Sequence, residues 1–150
     1  MLFFVAAALV APASLDCHNM AFSRTLALAR TRQAVCLERS REPGQWTLRR
    51  TATDRSGAET VTYTDTRACP AALQELQAVE SLELPRPDLR GFGKELQVIT
   101  LDGAGYSLTT AALYGGDAGE IKVQSNVGTP LARWIDKALK ALEPCWHAGS

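Results

Sequence analysis

The stretch EIKVQSNVGTPLARWIDKALKALEPC, residues 120–145, decides the fold. In Glu120–Val127, Glu120, Lys122, Gln124 and Asn126 alternate with mostly apolar neighbours. That period of two is the signature of a half-buried strand. Gly128-Thr129-Pro130 then opens a helix, with Thr129 able to accept an N–H bond as N-cap and Pro130 at the first helical position. Leu131, Trp134, Ile135, Ala138, Leu139 and Leu142 recur at helical spacing and make a core-facing stripe. Arg133, Asp136, Lys137 and Lys140 form the wet face, where Asp136 and Lys140 are spaced as an i, i+4 pair. Pro144-Cys145 closes the helix.

Just upstream, Lys94–Leu101 reads as a strand, Asp102–Gly105 as a hairpin turn, Tyr106–Tyr114 as a second strand and Gly115–Gly119 as a looser turn. Leu84-Pro85-Arg86-Pro87-Asp88, with two prolines in three residues, is a stiff connector within the domain. Before it the same plan is expected once more. Ala34–Ser40, Trp46–Thr53 and Glu59–Thr66 read as strands, and Glu42-Pro43-Gly44 and Arg55–Ala58 as turns. Trp46, Leu48 and Arg50 share one face of their strand. The helix from Pro70 to about Glu80 follows, with Ala72, Leu73, Leu76 and Val79 as its apolar stripe and Gln74, Glu75 and Gln77 outward. Residues 17–32 read as a short helix leading into a strand, on the approximate helical spacing of Met20, Phe22, Leu26 and Ala29. The expectation is an α+β fold: an antiparallel sheet of about six strands in two β-meanders, each followed by a helix packed on one face.

Met1–Ala13 carries no charged side chain and is shorter than the ~20 residues of a membrane span. With Ala11-Pro12-Ala13 as a small-x-small cleavage site, residues 1–13 read as a signal peptide and 14–150 as a single α+β domain. No Lys or Arg precedes the apolar run, which leaves open a start upstream of Met1. A buried N-terminal helix or strand is the alternative; acylation of Cys17 is disfavoured by Asp16 before it. Export places the chain in the periplasm or outside the cell, where the even set Cys17, Cys36, Cys69 and Cys145 points to two disulfides. If the two helices lie antiparallel on one sheet face, Cys69 before one meets Cys145 after the other, and Cys17 pairs with Cys36. The two other connectivities stay open.

Formal net charge is zero, so no global field favours nucleic acid or an anionic membrane. Eight arginines between Arg24 and Arg55 face only Glu38, Glu42 and Asp54, a bias that fits a solvated sheet face or a basic face meeting an acidic partner.

Chemistry has few candidates. Cys17, His18, Cys145 and His147 would resemble a metal set only if brought together, and neither pair has ligand spacing; no metal or other cofactor is expected. Cys69 ahead of Pro70 could be a nucleophile at a helix N-terminus, but disulfide use suits an exported chain better. Asp65, Asp102, Asp117 and Glu120 could supply paired carboxylates, though most sit in turns. No G-x-S-x-G elbow or phosphate loop occurs. Trp46, Tyr63 and Tyr106 could line an exposed sheet face that grips a ligand, or pack cross-strand; Trp134 reads as core. The function expected is a non-catalytic binding or inhibitory module acting through the sheet face or turns on an unknown protein or small ligand. The alternatives are a small periplasmic enzyme with a carboxylate or thiol site, and a structural envelope component.

Overall fold

The computed structural model describes residues 17, 19–83, 103–114 and 117–149. Seven strands among them form one antiparallel sheet: β1 (Met20–Leu26), β2 (Thr31–Arg39), β3 (Trp46–Thr53), β4 (Glu59–Asp65), β5 (Ala104–Tyr114), β6 (Asp117–Asn126) and β7 (His147–Ala148). Two helices accompany them, α1 (Pro70–Gln77) and α2 (Pro130–Leu142), each extended by a short 3₁₀ turn. The strand order is β6-β5-β1-β2-β3-β4-β7. This is an α+β fold, built mainly from antiparallel sheet.

The connectivity differs from two separate meanders. Strands β1 to β4 form one continuous meander. Strand β5 then returns to the open edge of β1, pairing Leu26 with Ala104 through Met20 with Thr110. Its other edge is taken by β6. The expected first strand of the second meander, Lys94–Leu101, lies outside the described residues. Ala104 and Gly105, expected in a hairpin turn, are strand residues instead, and Gly103 turns with φ 66° while its carbonyl accepts the Ala27 N–H.

Residues 20–26 are a strand, not the short helix that their spacing suggested. Met20 and Phe22 point into the core while Ala21 and Ser23 face the other way. Small alternate residues blur that period, and β1 becomes a strand because it has a partner on each edge.

The core lies on one face of the sheet. Phe22, Val35, Leu37, Leu48, Leu108 and Val123 meet Leu131, Trp134, Ile135, Ala138, Leu139 and Leu142, so the whole expected stripe of α2 is buried. Thr129 caps α2, its hydroxyl accepting the Ala132 N–H at 3.1 Å. The Trp134 ring meets the Phe22 ring edge-on at 5.1 Å. Asp136 does not use Lys140: it takes Arg24 at 2.9 Å and the Tyr106 hydroxyl at 3.0 Å, fastening α2 to β1 and β5.

Helix α1 packs on α2. This rotates its buried face away from the expected stripe: Glu75 is buried and Leu73 is 36% exposed. The α2 surface supplies partners there, with Lys137 Nζ at 2.9 Å from the Glu75 carboxylate and Trp134 Nε1 donating to the Glu75 carbonyl at 2.9 Å. Disulfides join Cys69 to Cys145 and Cys17 to Cys36. The first ties the start of α1 to the end of α2. The second lies across the sheet from it, because Cys36 sits between the core residues Val35 and Leu37 and faces the opposite side.

Candidate functional surface

Both helices join the core on one face of the sheet. Across the other face the register sets one row through all seven strands: Lys122, Thr109, Ala21, Cys36, Arg49, Tyr63 and His147. A second row runs Gln124, Ser107, Ser23, Ala34, Thr51 and Val61. Side chains near the centre are small, and Ser23 and Ser107 are bonded at 2.8 Å. Larger groups stand towards the β4–β7 side. There Val61 and Tyr63 are 40% and 37% exposed, and with His147, Ala148 and Gly149 they line a shallow depression of about 580 Å³.

The wall of this depression is built from the core side. After α2, the Cys69–Cys145 disulfide fixes the chain. Arg50, on the helix face of β3, donates to Glu143 at 2.7 Å and to Thr62 Oγ1 at 3.1 Å, and stacks its guanidinium 4.9 Å from the Trp146 ring. His147 and Ala148 then pair with Tyr63 and Thr62 as β7. Gly149 passes close over the Tyr63 ring: a Cβ there would lie 2.7 Å from Cε2, so a larger residue would push the ring aside.

Arg49 is the neighbour of Arg50 and faces the other way, beside Tyr63. It has no hydrogen bond or ion pair among the described residues, and its Nε is shielded from solvent without a partner. A buried unpaired donor costs roughly 1–3 kcal/mol, so this is a place where an acceptor would be welcome.

The structure separates the aromatics proposed to share a face. Trp46 and Tyr106 pack on the core side, and Tyr63 stands alone on the open side. It also divides the arginine-rich region: Arg24 and Arg50 fasten the segments packed over the sheet, while Arg49 is left over.

The chain matches no family model, no curated protein and no solved structure.

The other candidates are not assembled. Cys17 and Cys145 are bonded to different partners, and Cys69 is a buried disulfide sulfur rather than a thiol. Among the described residues no group of three potential metal ligands occurs. Asp65 accepts the Arg67 and Ala68 N–H groups on β4, whereas Glu120 stands on β6 with four strands between them. Asp102 lies outside the described residues. A second hollow of about 280 Å³, lined in part by Arg24, Gln33 and Thr60, contains one acid, Asp54. That carboxylate is occupied by the Ser56 hydroxyl and the Ser56 and Ala58 N–H groups, which hold its pKa below the ordinary value. Among the described residues no helix is long and apolar enough to cross a membrane.

The pairing of Arg49 with Tyr63 could not be found from composition. Its signal was parity: once Trp46, Leu48 and Arg50 share the core face, Arg49 must face away.

Proposed function

We propose that the protein is an exported, non-catalytic binding module whose binding surface is the β3–β4–β7 part of the sheet face opposite α1 and α2. The observation that carries this reading is the shielded Arg49 Nε, without a partner among the described residues, beside the exposed Tyr63 and Val61. An aromatic and an aliphatic group next to an unsatisfied arginine suit a partner that offers a carboxylate close to an apolar side chain. Tyr and Arg together are the residue types that anchor protein interfaces. Two disulfides in so small a domain favour an oxidising compartment, the periplasm or the cell exterior.

A photo-crosslinking amino acid placed at position 63, in cells that make the protein, should give a discrete adduct. The same group at Gln74, an exposed position on α1, should not. Arg49→Glu should remove the adduct while the protein keeps its melting temperature. Absence of an adduct from position 63, or equal adducts from both positions, would overturn the reading.

A further inference from the structure

The two edges of the sheet are finished differently. At one edge β7 is a two-residue strand that covers only Thr62 and Tyr63 of β4. At the other, β6 is ten residues long and pairs with β5 without interruption from Asn126 to Asp117. Among the described strands nothing pairs with its outer edge. Natural proteins usually blunt such an edge with a proline, a bulge or a charge, because a row of unpaired N–H and C=O groups is a template for another strand. β6 contains no proline, and its register against β5 has no bulge.

Its charges are Asp117, which falls opposite the neutral Ser125 in the pairing considered below, and Glu120 and Lys122, both exposed and both without a hydrogen bond or ion pair among the described residues. A lone lysine would repel a second copy of the strand. An acid two residues away on the same face changes the outcome. In an antiparallel pair related by a two-fold axis at Ile121, Glu120 of each copy lies opposite Lys122 of the other. Ile121 meets its own counterpart and Gly119 meets Val123. Facing residues share a face in this register, so both copies keep their helices on the same side of one continuous sheet. Moving the axis to Lys122 sets two lysines face to face, and moving it to Glu120 sets two glutamates face to face. A shift of half a step turns the helices of the second copy to the opposite side. Charge complementarity therefore selects one register and one occupant.

We infer that β6 is a self-recognition edge, through which two copies of this chain associate by antiparallel strand pairing centred on Ile121. The surface is separate from the Arg49–Tyr63 surface, which lies on the far side of the sheet, so the dimer presents two copies of that face in one plane.

Sedimentation velocity of the full chain tests this, run at low salt over a concentration series up to about 1 mM. The wild type should show a reversible monomer–dimer equilibrium that weakens as salt is added. Lys122→Glu should weaken association about tenfold or more, since it makes all four facing charges alike, and Glu120→Lys should do the same. Mixing the two variants should restore a heterodimer, because the two acids of one chain then face the two lysines of the other. The doubly exchanged chain, Glu120→Lys with Lys122→Glu, should associate like the wild type. A wild type that stays monomeric at every concentration overturns the inference. So does a Lys122→Glu chain that associates unchanged, or a mixture that forms no heterodimer. Melting temperatures of the variants show that they remain folded.

Discussion

Arg49 and Arg50 are adjacent in β3 and point to opposite faces of one sheet. Arg50 is locked by Glu143, Thr62 and the Trp146 ring. Arg49 meets Tyr63 across the strand pair and has no partner among the described residues. The same side chain in the same strand therefore has two meanings. On the core face it is a strap that holds the end of the chain against the sheet. On the other face it is an unsatisfied group beside exposed apolar surface. The difference shows how β3 and β4 divide their labour: the core face is packed and strapped, while Arg49, Val61 and Tyr63 on the other face are left available.

The division can be broken most strongly on the core side. Phe22 is fully buried beneath Trp134, so Phe22→Ala should cost roughly 3–5 kcal/mol of unfolding free energy in urea. Replacing Cys69 and Cys145 together with alanine opens a constraint spanning 76 residues and should cost about 4 kcal/mol in the chain-entropy model. It should also free the β7 wall, read as faster amide exchange at His147 and Ala148. Tyr63→Ala, beside Arg49 on the opposite face, should change stability by no more than about 0.5–1 kcal/mol in the same titration. A loss as large as that of Phe22 would erase the distinction between the faces.

The smallest effect concerns the β3–β4 turn. The Ser56 hydroxyl and the backbone N–H groups favour ionised Asp54, whose pKa is lowered from 3.8. A carboxyl with a depressed folded pKa stabilises the fold above its unfolded value, and that contribution is lost as pH falls through the folded value. Asp54→Asn should therefore lower the melting temperature slightly at neutral pH. The gap from the wild type should close on acidification below the ordinary carboxylate range. A gap that persists in acid would mean that the turn is held by something other than the ionised carboxylate.

How much of this was legible in the sequence depended on how many partners each element has. The α2 stripe could be read in full, because a thirteen-residue helix laid on a sheet shows its contact face in the 3.6-residue period. Helix α1 has eight residues and packs against α2, so its orientation depends on Lys137 and Trp134, which are some sixty residues away in the chain. Glu75 thus looked like a solvent residue and is buried. β1 was hidden for a related reason. The small residues Ala21 and Ser23 on its second face leave no clean alternation, and the strand is specified by pairing with β2 and β5. The return of β5 to β1 is a long-range event that hairpin reasoning does not reach. On the candidate surface, the strand parity of Arg49 followed from its neighbours. Its missing partner did not, since that is a property of the assembled face.

The most direct test of this division is a pair of urea titrations on Arg49→Leu and Arg50→Leu. Removing Arg50 deletes the cation–π contact and a charge-assisted bond and should cost about 1–3 kcal/mol. Removing Arg49 relieves an unpaired donor and should leave the midpoint unchanged or slightly raised. Equal losses from both substitutions would contradict the account, because Arg49 would then be holding the fold together rather than waiting for a partner.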